Sequence, residues 1–151
     1  MLEEQFYNVY TKFKLHFFQN VFEKWQNREA SLTTVETFCM EIIYYMKNPT
    51  INEFARLANI SSPNAAYKIN NLVKKGYIKK VQSKHDKREY HLEVTEKYNN
   101  YYNISYNYLH VVMGRINEKF TQDELKVMEK ILTVMSEELM PEIDVSNRSE
   151  Q

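Results

Sequence analysis

Residues 60–80, ISSPNAAYKINNLVKKGYIKK, decide how the rest of the chain is read. Ser61 or Ser62 is placed to cap a helix, and Pro63 fits its first turn, where a missing N–H costs nothing. Ala65, Ile69, Leu72 and Val73 recur at helical spacing and make a buried stripe. Asn64, Tyr67, Asn70, Asn71 and Lys74 fall on the other side. Gly76 then stops the helix in the left-handed conformation that glycine tolerates best. The spacing predicts a short helix, polar on its exposed N-terminal face and basic towards its end.

The residues before it form the brace. Thr50 and Glu53 have the spacing of a capping box, and Ile51, Phe54, Ala55 and Ala58 give a helix of about two turns. Ala55 is small enough for two helices to approach closely. Asn59 supplies a left-handed stop, with Ile60 turning back into the core. A helix, a tight turn and a second helix with a polar N-terminus are what a DNA major groove accepts. Downstream, 77–83 and 89–94 are strand-length segments of alternating character joined by Lys84-His85-Asp86-Lys87-Arg88. With no glycine at the tip, this reads as a β-hairpin with a charged loop longer than two residues.

Further out the chain is helical and rich in aromatics. Phe6, Val9, Tyr10, Phe13, Phe17, Val21 and Trp25 define a long first helix with a wide apolar stripe, and 27–31 read as a break. Thr33 and Glu36 begin a second helix marked by Val35, Phe38, Cys39, Ile42, Ile43 and Met46. Thr95 is expected to cap one continuous fifth helix over 96–120. Thr121 and Glu124 open a sixth, with Leu125, Met128, Ile131, Leu132, Met135 and Leu139 on one face. The stripes of the first and sixth helices are more apolar surface than one subunit needs, so a second copy is expected to cover them.

The predicted fold is therefore mostly α (α+β), a winged helix-turn-helix flanked by N- and C-terminal dimerisation helices. The divisions are 1–31 for the N-terminal dimerisation helix, 32–95 for the winged lobe, 96–143 for the C-terminal dimerisation helices and 144–151 for a flexible polar tail.

Charge distribution supports a nucleic-acid partner although the formal net charge is zero. Residues 67–91 hold eight Lys or Arg against two acids, while 92–151 hold six against eleven. A localised patch, not total charge, is the footprint of a DNA-binding face. The candidate DNA contacts are Ser61, Ser62, Asn64, Tyr67 and Asn71 at the groove, Lys68, Lys74 and Lys84 towards phosphates, Lys87 at the hairpin tip, and Arg88 entering a narrow minor groove. Asp86, two residues before Arg88, is placed to orient it by a charge-assisted pair.

From Ser61 to Glu96 the chain resembles the MarR family of bacterial transcription regulators. The likeness rests on Ser61, Leu72, Lys75-Gly76-Tyr77-Ile78, Asp86-Lys87-Arg88 and Leu92-Glu93-Val94-Thr95-Glu96-Lys97, the last similar to that family's "LTEKG" close of the wing. It implies a homodimer, two lobes on a palindromic operator, and usually repression relieved by a ligand or oxidant; the family's wing arginine and aspartate map to Arg88 and Asp86. The chain departs from the family at Tyr98, usually Gly, and has Asn, Ala and Tyr at 64, 66 and 67, where Thr and Arg are frequent.

Other functional classes are weakly represented. No phosphate-cradling glycine loop, nucleophile elbow or metal-ligand motif is present, so neither an enzyme nor a cofactor is expected. His16, His85, His91 and His110 lack metal-ligand spacing. The single Cys cannot form an internal disulfide, no apolar run is long enough to span a membrane, and MLEEQFYNVY lacks a basic leader region, so a cytoplasmic protein is expected. A small lipophilic or aromatic effector is a further expected partner, held by Phe13, Phe17, Phe38, Tyr102 and Tyr106. Two alternatives stand beside the regulator reading. One is a winged helix that binds a protein or RNA; the other is a redox-responsive regulator acting through Cys39, which sits within an apolar stripe.

Overall fold

The computed structural model describes residues 1–26, 32–101 and 103–145. The expected break at 27–31, the side chain of Trp25, Tyr102 and residues 146–151 of the polar tail lie outside the described residues. The order is α1 (Leu2–Gln26), α2 (Thr34–Met46), α3 (Ile51–Ala58), α4 (Ser62–Lys74), β1 (Ile78–Gln82), β2 (Tyr90–Val94), α5 (Glu96–Tyr101), α6 (Ile104–Lys119) and α7 (Gln122–Glu137). This is a mostly helical winged helix-turn-helix with a small antiparallel sheet.

Local chemistry sets the boundaries. Thr33 and Glu36 cap α2 reciprocally, as Thr121 and Glu124 cap α7. Thr50 accepts from the Glu53 N–H to start α3. Asn59 ends α3 at φ 55°, and the Ile60 N–H reaches back to the Ala55 carbonyl at 3.0 Å. Gly76 ends α4 at φ 82°, with the Tyr77 N–H donating to the Leu72 carbonyl at 3.0 Å. The turn drops Tyr77 and Ile78 into the interior.

The core lies among α2, α3, α4 and the hairpin. Met40, Ile43, Phe54, Ala65, Ile69, Leu72, Tyr77, Ile78, Leu92 and Tyr98 are buried together. β1 pairs β2 in antiparallel register, Ile78 opposite Val94 and Lys80 opposite Leu92. A short bridge from Thr50 to His91, with the Leu92 N–H donating to the Pro49 carbonyl at 2.8 Å, ties the start of α3 to the hairpin.

Three expectations change. The predicted continuous helix over 96–120 is two helices, with Asn103 buried at the start of α6. Asn99, Asn100 and Asn103 crowd that corner, and asparagine competes with helical hydrogen bonding. Thr95 gives its hydroxyl to the Gly76 carbonyl at 2.7 Å, fastening the end of β2 to the end of α4, while its carbonyl receives the Tyr98 N–H. On α2 the face turned to the core is Glu36, Cys39, Met40, Ile43 and Met46. Val35 and Phe38 lie one step round the helix and are exposed, because the apolar stripe is wider than the surface the lobe covers.

The outer helices differ from the lobe. α1 packs along α6. No residue of α7 is buried. Phe6, Tyr7 and Tyr10 of α1 and Val127, Met128, Ile131 and Leu132 of α7 wall an open apolar groove of about 1340 Å³.

Candidate nucleic-acid interface

α3 and α4 pack against one another with Ala55 and Ala65 both buried, which brings their axes close and leaves the start of α4 at the surface. The Ser61 hydroxyl accepts from the Asn64 N–H at 3.3 Å and so serves the helix itself. The Ser62 hydroxyl donates to Oδ1 of Asn52 at 3.3 Å, joining the exposed faces of the two helices. Asn64 and Tyr67 face solvent, Tyr67 at 68% exposure, a large share for an aromatic ring. Asn71 is half-buried further along, and Lys74 is exposed. Lys68 is half-buried on the side facing α2, where its charge acts on Glu36 and Cys39.

The hairpin tip is ordered by its own polar groups. The Ser83 N–H donates to the Glu89 carbonyl at 2.8 Å, and the Ser83 hydroxyl accepts from the N–H groups of His85 and Asp86. Gln82 Nε2 donates to the Lys87 carbonyl at 2.6 Å. Asp86 then accepts three hydrogen bonds from Arg88: the backbone N–H at 2.9 Å, Nε at 3.2 Å and Nη2 at 3.2 Å. These bonds from Arg88 hold the Asp86 carboxyl below its ordinary pKa. The arginine remains 90% exposed, so the fork fixes its direction without covering it. Lys84 and Lys87 stand exposed beside it.

Two long-range contacts that sequence spacing does not reveal lock these parts together. Lys80 of β1 donates to Oδ1 of Asn70 on α4 at 2.6 Å, fixing the hairpin against the helix. Lys75, at the end of α4, pairs with Glu36 at the start of α2 at 2.6 Å. Burial pushes the Glu36 carboxyl up. Hydrogen bonds from Lys75 and the Thr33 N–H, with the charges of Lys75 and Lys68, outweigh it and leave the pKa lowered. Glu36→Gln is expected to cost about 1–3 kcal/mol in urea unfolding, since it weakens a cap and strands a half-buried lysine. With its pKa depressed in the folded state, Glu36 gives its full stabilisation above the ordinary carboxylate range. That stabilisation is lost as pH falls through the lowered value, so wild type and variant should converge in acid.

Residues 32–90 match the model of the MarR family. The match spans the winged lobe. Around this segment the chain has the fold of MarR transcriptional regulators along most of its length. The Streptococcus pneumoniae FabT structure, solved in complex with DNA, is 23% identical with a TM-score of 0.52, over 88% of this chain and 96% of that one. A MepR mutant from a multidrug-resistant S. aureus clinical isolate is 16% identical with a TM-score of 0.64, over 92% and 97%. The transcriptional regulator Tm0710 of Thermotoga maritima is 15% identical with a TM-score of 0.60, over 89% and 94%. No curated protein matches the sequence.

The residues expected to hold an effector are only partly brought together. Phe13 and Phe17 wall a small cavity between α1, α2 and α6, shared with His16, Glu41, Ser105 and Tyr108. Phe38 meets Phe17 with ring centroids 6.4 Å apart. Tyr106 instead packs on Tyr44 and is half-exposed, and Tyr102 is outside the described residues. Cys39 is 5% exposed, and burial raises its pKa, so the sulfur is held as a thiol and a redox role loses its reactive thiolate. Among the described residues no three of His, Cys, Asp and Glu are grouped to hold a metal, and no helix is long and apolar enough to cross a membrane.

Proposed function

We propose that the chain is a cytoplasmic DNA-binding transcriptional repressor, acting as a homodimer on a palindromic operator and released by a small lipophilic or aromatic effector. The observation that most supports it is the pairing, in a MarR-family segment, of a solvent-facing α4 N-terminus with an Arg88 aimed by Asp86. Ser62, Asn64, Tyr67 and Asn71 approach bases, with Ser61 holding the helix start. Lys68, Lys74, Lys84 and Lys87 neutralise phosphates, Lys68 after turning from its neighbours on α2. Arg88 enters the minor groove. Segments 1–31 and 96–143 supply the dimer contacts, and 32–95 the reading lobe.

Selection of bound sequences from a random duplex pool tests this. A twofold-symmetric site is expected, its halves spaced by about one helical turn, roughly 34 Å. Affinity should fall steeply as salt rises, because phosphate contacts release counterions. Enrichment of no duplex sequence, together with binding to RNA or an acidic protein, would leave the interaction-module reading in its place.

A further inference from the structure

The cavity between α1, α2 and α6 has a composition that narrows its ligand. It measures about 190 Å³ and is lined by Phe13, Lys14, His16 and Phe17 of α1, Glu41 of α2, and Ser105 and Tyr108 of α6. That is room for a single ring with a small polar head, below the size range of drug-like sites. Phe13 and Tyr108 meet edge to face at 5.4 Å, and His16 stacks on Tyr108 at 3.7 Å, so the aromatic wall is already built.

Glu41 is the unusual member. It is half-buried among rings, and the Ser105 hydroxyl hydrogen-bonds to it. Burial raises the pKa of its carboxyl, with the Ser105 bond opposing. Among the described residues it has no salt bridge. The groups that could answer its charge are otherwise engaged. Lys14 places its ammonium 4.5 Å over the Tyr10 ring, and His16 is held by Tyr108 and by the Asn20 amide. From the lobe side Tyr98, packed against Tyr44, approaches and supplies no positive charge; among the described residues its buried hydroxyl has no hydrogen-bond partner. A carboxylate without a counter-ion in a low-dielectric site is costly, and a cation entering beside it removes that cost. Aromatic faces attract the same cation.

We infer that this cavity binds a single-ring organic cation, such as an aryl amidine or arylalkylamine, with Glu41 as counter-charge and Phe13, Phe17 and Tyr108 as walls. The inference rests on the effector reading and narrows it. A neutral lipophile leaves Glu41 unanswered, and an aryl carboxylate brings a second negative charge to it. The site joins α1 and α6 to α2, and α2 holds the end of α4 through Glu36 and Lys75. Its occupant therefore touches both the outer helices and the element that steers α4.

Calorimetric titration of the DNA-free protein with benzamidine, benzamide and benzoate tests this. Benzamidine is expected to bind at least tenfold more tightly than the other two. Glu41→Gln, which keeps the shape of the side chain, should remove that preference while leaving the melting temperature within a few degrees. Tighter binding of benzoate, binding of none of the three at millimolar concentration, or an unchanged preference in Glu41→Gln overturns the inference. The effector reading is scored separately, by adding each compound to the protein–operator complex. Release by benzoate with no charge preference for cations keeps the effector and sinks the cation. Benzamidine binding without DNA release keeps the cation site and sinks the effector.

Discussion

Arg88→Ala is expected to weaken operator binding by roughly 10- to 100-fold, the size of a well-placed arginine contact of about 1–3 kcal/mol. The effect should be large because the contact is prepared in advance. A free arginine side chain has about 2 kcal/mol of rotamer entropy to lose on ordering. Here Asp86 already receives Nε and Nη2, each at 3.2 Å, and the tip is closed by Ser83 and Gln82. As a stabilising ion pair the contact counts for little, since both partners are open to solvent. Its value is direction. Asp86→Asn separates the two roles, because it keeps the cation and removes the fork. That variant should lose a few-fold in affinity with the salt dependence unchanged, whereas Arg88→Ala should also flatten it. The Asp86 carboxyl sits below its ordinary pKa because of Arg88, so the fork persists across neutral pH and loosens only as pH falls through that lowered value. Fluorescence anisotropy on a labelled operator at two salt concentrations reads all of this. Wild-type affinity in Arg88→Ala would remove the wing from the reading surface.

What the sequence made legible is what depends on neighbours along the chain. Thr33 with Glu36, Thr121 with Glu124, Asn59 and Gly76 each set a boundary through contacts within a few residues, so spacing alone finds them. The hairpin register follows from alternation, which leaves Leu92 inside and Lys79 outside. Contacts between distant segments were hidden. Lys75 to Glu36 and Lys80 to Asn70 join residues whose own helical or strand patterns say only which side they face, not what they meet. The same limit applies to the effector residues. Aromatic periodicity singled out Phe13 and Phe17, but the polar half of the cavity, Glu41 and Ser105, stands on two other helices and has no spacing to betray it. At Asn103 a run of asparagines in a tyrosine-rich segment was the available signal for a helix break, and the surrounding helical pattern masked it.

Ile131→Glu should have the largest effect, converting the protein to monomers and lowering affinity for the full palindrome by about 100-fold or more. Ile131 is 54% exposed on α7, with Leu132, Met128 and Val127 beside it and Phe6 and Tyr10 across the groove. Apolar groups in such density are normally covered, each buried Å² being worth about 25 cal/mol. The lobe does not cover them, because its core contains no residue of α7. In the proposed homodimer a second copy meets the need by symmetry, since the same two stripes recur on it. In that dimer the tie between two lobes would make the second half-site encounter intramolecular, at an effective concentration near the millimolar range for a short connection. A glutamate in the groove must either shed its water or hold the helices apart, and either outcome costs several kcal/mol of association. The lobe should stay folded, because its buried residues are untouched, so circular dichroism separates loss of assembly from loss of structure. Light scattering gives the mass, and anisotropy on whole and half operators gives the two affinities. The half-site should bind variant and wild type alike while the palindrome distinguishes them. A variant that stays dimeric and binds the palindrome at full strength would show that the α1–α7 groove faces something other than its own copy.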